Sequence, residues 1–238
     1  TANIADDTRS GFAEKEEGAT AYKSEWFGDE TLKLFVNDNN GYYVETTATV
    51  KAEGQFTLEL ENAPESFFMT VVSPAESWSS QSSCTIPTEQ TPLANSVDPK
   101  AHLLHHAAVS VSNGEAEINL THQAAYGKMT VNAPEGFVID HVVVELNGTF
   151  YGFTANATYT LNATNVKNNV FWFASIPTEV SSFTVTAFNA EGNAVAKTVD
   201  VAAAGKTLAF NYGRVSTFSV SGLEAVVAPD TVMDSAKY

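Results

Sequence analysis

The chain is predicted to be all-β, with two consecutive antiparallel β-sandwich domains. Three observations predict this. Apolar and polar residues alternate with a period of two along most of the 238 residues. Helical periodicity is nearly absent. About fourteen strand-like segments can be counted, twice the complement of one typical sandwich.

The elements follow in order. "YVETTATVK" places Val44, Thr46, Ala48 and Val50 on one face. "QFTLELENA" does so with Phe56, Leu58 and Leu60, and sets Gln55, Thr57, Glu59 and Glu61 opposite. "EAEINLTH" repeats the pattern with Ala116, Ile118 and Leu120. The tripeptide "AEG" at 52–54 and again at 190–192 turns one strand into the next, the second joining "SFTVTAF" to "AVAKTVDV". Hairpins with one wetted face are the mark of antiparallel sheets packed in pairs. The division is expected at Asn113-Gly114. It gives an N-terminal domain over 1–113, a C-terminal domain over 114–221 and a tail over 222–238.

Composition narrows the function. The chain carries 28 acidic and 12 basic side chains, a formal charge of −16, which repels phosphate backbones and anionic lipid. Nucleic acid is therefore excluded as a partner. Cys84 is the only cysteine, so no internal disulfide forms, and no neighbouring base activates its thiol. Apolar runs are too short for a membrane-spanning helix. The start at Thr1 suits a mature or trimmed form.

"CTIPTEQTPLANSVDPKAHLLHHAAVSV" (84–111) holds the cysteine and three of the five histidines. On a helix, His102, His105 and His106 would share a face and clamp a metal. Asp98-Pro99 does look like a helix start, but strand character follows at once, so the turn is expected to end near Ala101. On a strand, His102 and His106 point outward roughly 13 Å apart. Two nitrogens on one ion lie only about 4 Å apart. His105 is then a half-buried, hydrogen-bonded packing residue among Leu103, Ala107, Val109 and Val111, and no metal is expected.

Other chemistry is missing. "VNDNNGYY" around Gly41 would need ligands at Val36 and Thr47 to be a calcium loop, and reads as a surface turn. No nucleophile elbow, zinc-protease helix or glycine-rich phosphate loop is present. No catalytic residue, cofactor or enzymatic activity is expected. The clusters "TFYGF" (149–153) and "VFWFA" (170–174) offer core rings or a sugar-stacking platform. Tyr151 and Trp172 are the glycan-stacking candidates, provided that they face outward. Four N-x-[ST] sequons, at Asn119, Asn147, Asn156 and Asn162, matter only in a cell that N-glycosylates.

Several stretches, in order, resemble the fimbrillin superfamily of Bacteroidales. These are "TRSGF", "AYKSEWFGDETLKLF", "CTIPTEQTPLANSVDPKAHLLHHA", "INLTHQAAYGKMTV" and "IDHVVVELNG", and the resemblance spans most of residues 8–215. It implies sandwiches of Greek-key, transthyretin-like type. It implies export to the cell surface as an outer-membrane lipoprotein or fimbria component, held to the membrane only by a lipid anchor that these residues do not include. It also implies assembly with other subunits by strand addition: an Arg-specific protease removes the first strand, and a C-terminal strand of the next subunit fills the groove.

Arg9 is the processing candidate that the resemblance points to. A cut there frees "TANIADDTR", whose one large apolar residue is Ile4, so little groove is expected to open. In the tail, alternation changes phase at Gly222. Leu223, Ala225 and Val227 form either a donor strand or a strand of their own domain. "DTV" and "DSA" resemble the phylum's short O-glycosylation acceptor, making Thr231 and Ser235 candidates. The expected function is a cell-surface structural or adhesive protein of fimbrillin type, a pilus subunit or accessory component. The alternative is an outer-membrane glycan-binding lipoprotein for polysaccharide capture.

Overall fold

Antiparallel ladders account for most of the architecture in the computed structural model, which describes residues 2–4, 11–12, 24–26, 30–51 and 54–226. The first domain is built on a five-stranded antiparallel sheet. Its order is Thr121–His122, Leu104–Ser112, Ser66–Ser73, Thr31–Asn37 and Tyr43–Thr49. A three-stranded sheet, Ala116–Ile118, Ala2–Ile4 and Gln55–Phe56, covers one side. Between them lies a core of Leu32, Leu34, Val36, Phe56, Met69, Val71, Leu104 and Ile118.

The second domain repeats the plan. Its larger sheet runs Glu89–Gln90, Phe153–Asn162, His141–Phe150, Thr178–Phe188, Ala194–Asp200 and Glu224–Ala225, with Leu208–Phe210 also pairing to Thr178–Phe188. The smaller sheet is Val170–Ser175, Ala125–Val131 and Val215–Val220. Met129, Val144, Leu161, Phe171, Phe173, Val185 and Phe210 fill the space between.

Period two explains a third core. On Thr31–Asn37, Leu32, Leu34 and Val36 enter the first core while Phe35, on the other face, is equally buried. On Val170–Ser175, Phe171 and Phe173 enter the second core and Trp172 and Ala174 leave it. The outward faces of these two sheets meet. Phe35, Val72, Trp78, Leu103, Tyr126 and Trp172 form one buried cluster at the junction. Opposite faces of these strands are therefore both dry, as in a layered α/β or β/β interior rather than a one-sided sheet.

The boundary falls later than expected. Asn113 (φ 57°) and Gly114 (φ 74°) form a hairpin turn that joins Leu104–Ser112 to Ala116–Ile118 inside the first domain. Asn-Gly is a favoured two-residue hairpin turn, because both positions need positive φ. Ile118 and Leu120 sit in the first core, and the chain crosses over only between Thr121–His122 and Ala125–Val131. One segment crosses the other way: Glu89–Gln90 pairs in parallel with Thr160–Leu161 of the second domain.

The turn after Asp98 spans Pro99–Ala101, with the Asp98 carboxylate accepting from Lys100 N at 2.9 Å. Leu104–Ser112 then carries a bulge between His106 and Val109, with Ala108 at φ 43° and its N–H directed to Thr70 Oγ1. The loop "VNDNNG" is a turn in which Asp38 Oδ1 accepts from Asn40 N and Tyr42 N at 2.7 and 2.9 Å. That geometry is an Asx turn.

Candidate functional site

The N-terminal segment occupies an unusual place. Ala2–Ile4 is the middle strand of its sheet, parallel to Ala116–Ile118 and antiparallel to Gln55–Phe56. Each flanking strand therefore depends on it for ladder hydrogen bonds. Beside it lies an apolar cleft of about 230 Å³, walled by Phe56, Leu58, Leu60, Phe67, Met69 and Val111, with Ala116 shared between cleft and ladder. Arg9, Val227, Thr231 and Ser235 lie outside the described residues.

The other end of the proposed exchange is engaged. Leu223 is buried in the second core, and Ala225 pairs with Val195 while Val226 N donates to Ala194 O at 2.9 Å. Gly222 (φ 69°) carries the chain from the smaller sheet to the edge of the larger one. The phase change at this glycine is a switch between sheets. The segment thus completes its own domain, through a ladder only two residues long.

The histidines divide differently from the alternation reading. His102 was expected to point outward, yet it follows the short turn and is buried. Its Nε2 lies 3.2 Å from His122 Nδ1, which lies 3.0 Å from the Tyr126 hydroxyl. Burial holds the His122 imidazole down at about 4, so it is neutral at physiological pH, and pushes the Tyr126 phenol well up. His105 is half-buried, stacks on Trp78 at 5.4 Å and contacts Gln81 O at 3.0 Å. His106 contacts Asn119 O. Among the described residues, no three His, Cys, Asp or Glu side chains gather as a metal group. Cys84 is half-buried, with its thiol pushed up by desolvation.

Aromatic rings converge at one hairpin. His141–Phe150 and Phe153–Asn162 are joined by Tyr151-Gly152, with Tyr151 at φ 49° and 79 % exposed. A bulky side chain in the left-handed region is strained, and such strain recurs at functional positions. Phe153 is 78 % exposed. Tyr212, from the turn after Leu208–Phe210, faces the same cleft of about 270 Å³. Phe150 lies between the two tyrosines, 4.3 Å from the Tyr151 ring and 6.3 Å from that of Tyr212. Burial raises the Tyr212 phenol, and the neighbouring Tyr151 and Cys84 add to the effect.

Trp172 does not join this group. It is 2 % exposed in the junction cluster, with Lys128 Nζ 4.8 Å from its ring centre, and offers no face to a ligand. Alternation correctly sets it opposite Phe171 and Phe173; that opposite face is covered by the first domain. Tyr212 was not anticipated from sequence. Its signal is a Tyr-Gly pair at a turn apex, shared with Tyr151-Gly152, but the same pair at Tyr126-Gly127 lies in a buried strand.

No family model matches the sequence, and no characterised protein matches it by sequence. Solved structures do match in shape. A candidate cell adhesion protein from Bacteroides ovatus superposes with a TM-score of 0.51 at 10% identity, over 96% of this chain and 97% of that one. A second, from Bacteroides uniformis, gives 0.50 at 15% identity, over 84% and 90%. At such identities the likeness is one of fold: this chain shares its overall β architecture with candidate cell adhesion proteins of Bacteroides.

Proposed function

We propose that this chain is a cell-surface adhesive or structural subunit of fimbrillin type, non-catalytic, that joins neighbouring subunits by strand addition. The observation that carries the reading is the place of Ala2–Ile4 between two strands at the rim of an apolar cleft. Removing a middle strand leaves two unpaired edges facing each other, a template that an incoming strand satisfies on both sides. Its short ladder lets the resident strand leave once it is severed from the chain. The donor would come from the segment that begins at Gly222; releasing Leu223 from the second core opposes this by about 2 kcal/mol. Partners are other subunits, of this or a related kind, on the exterior of an outer membrane. The fold shared with candidate cell adhesion proteins supports an adhesive role.

The test is a cut at Arg9. Purified protein incubated with an Arg-specific protease should give a ladder of higher species on a gel, and Arg9→Ala should not. A cut protein that stays monomeric at high concentration removes strand addition from the account.

A second reading is supported by a different observation, the exposure of Tyr151 at a cleft. On this reading the protein captures polysaccharide at the cell surface. Binding to a glycan array tests it, and the two readings are compatible, because the cleft is lined by neither the Ala2–Ile4 sheet nor the segment that begins at Gly222.

A further inference from the structure

Resting on the capture reading, we propose that the cleft between the Tyr151 hairpin and the Tyr212 turn binds uncharged pyranose glycans and excludes acidic ones. Among the described residues seven large apolar side chains are exposed; two of them, Tyr151 and Tyr212, line this one cleft, and a third, Phe153, follows in the Tyr151 hairpin. Scattered exposure is ordinary, whereas clustering around a concavity marks a binding surface. The two tyrosines flank the cleft with Phe150 between them, so a flat ligand meets rings on more than one side.

The rest of the lining selects the ligand. Thr149, Glu179 and Asn211 share the wall with the rings, so the surface alternates apolar faces with hydrogen-bonding groups. A pyranose has the same alternation: C–H groups on its face and hydroxyls around its rim. A purely apolar occupant would cover the Glu179 carboxylate without supplying a donor, at a desolvation cost. Sugar hydroxyls supply that donor, and a carboxylate acceptor makes the stronger kind of hydrogen bond. The cavity, at about 270 Å³, suits roughly one or two rings of a chain that runs on into solvent.

Charge sets the exclusion. No lysine or arginine lines the cleft, Glu179 does, and the chain as a whole carries −16. A uronate, sialate or sulfate group would enter a negative field with no cation to meet it. Neutral glucans, mannans, galactans or xylans meet no such opposition.

The intact protein should be applied to an array that carries neutral, uronate-containing, sialylated and sulfated glycans. The strongest neutral ligand is then titrated calorimetrically against the protein and its Tyr151→Ala and Tyr212→Ala variants. We expect neutral glycans alone to bind, and each variant to weaken binding about fivefold or more. Both rings are solvent-facing, so melting temperatures should stay close to that of the parent and show that folding is intact. Binding confined to acidic glycans would overturn this inference and leave polysaccharide capture standing. Neutral binding unchanged in both variants would overturn the site. No glycan bound at all would remove the capture reading as well.

Discussion

Gln90 offers the sharpest check on how the two domains are held together. Its side chain is 2 % exposed, and its carboxamide copies the pattern of a strand partner. Oε1 accepts from Ala174 N at 2.9 Å, while Nε2 donates to Ala174 O and to Pro87 O, each at 2.9 Å. The backbone of Ala174, fully buried, thus has both its polar groups met by one side chain 84 residues away. Replacing Gln90 by Leu keeps the volume and strands these groups. A buried polar group left without its partner costs about 1–3 kcal/mol, so Gln90→Leu should destabilise by roughly 2–5 kcal/mol. For a chain of this size that lowers the melting temperature by roughly 5–15 °C. Gln90→Glu should be worse at neutral pH, since a carboxylate then faces two carbonyl oxygens, and should partly recover when protonated. Thermal unfolding followed by circular dichroism measures both. If Gln90→Leu melts within about 2 °C of the parent, the carboxamide is dispensable and the reasoning fails.

Two further outcomes can be stated now. Gly127 sits in a strand where an added Cβ would come within 2.2 Å of the Phe173 ring, a side chain locked in the second core. Gly127→Ala should therefore cost about 1–3 kcal/mol in the same melt, and a neutral result would mean that the ring has room to move. Burial lowers His122 from 6.5 to about 4, so between these values the unfolded chain binds the proton that the folded chain refuses. Stability is then fully present above pH 6.5 and falls as pH drops toward 4, by about 3 kcal/mol at most. His105, lowered mainly by desolvation, adds a smaller effect of the same sign. Denaturant titrations across pH 4–7 should show this slope, and His122→Gln should reduce it; an unchanged slope would place the linkage elsewhere.

Alternation in the sequence was enough to establish an all-β chain and to sort side chains onto two faces. Leu32, Leu34 and Val36, or Phe171 and Phe173, fall together as the period of two requires. The Asp98-Pro99 turn and its end at Ala101 were equally legible, because capping is a local matter of one carboxylate and one nearby N–H. A face is not yet an environment, however. Whether the far side of a strand meets water or another sheet depends on residues remote in sequence. Trp172 and His102 are buried for that reason, Trp172 in the junction cluster and His102 against His122 and Tyr126, although alternation marked His102 as outward and left the environment of Trp172 open.

The candidate sites divide along the same line. Tyr151 stands out in sequence only as part of the aromatic run "TFYGF"; Tyr212, some sixty residues later, meets it at one cleft because two turns end at the same edge of the second domain. Nothing in "TANIADDTR" announces a middle strand, since that status belongs to its neighbours, residues 55–56 and 116–118. The sequence by itself determined the pleat, the turns and the acidic surface, all products of interactions within a few residues. Only the tertiary structure decided which faces are dry, which rings meet and which strand sits between two others, because these depend on long-range pairing that no local pattern encodes.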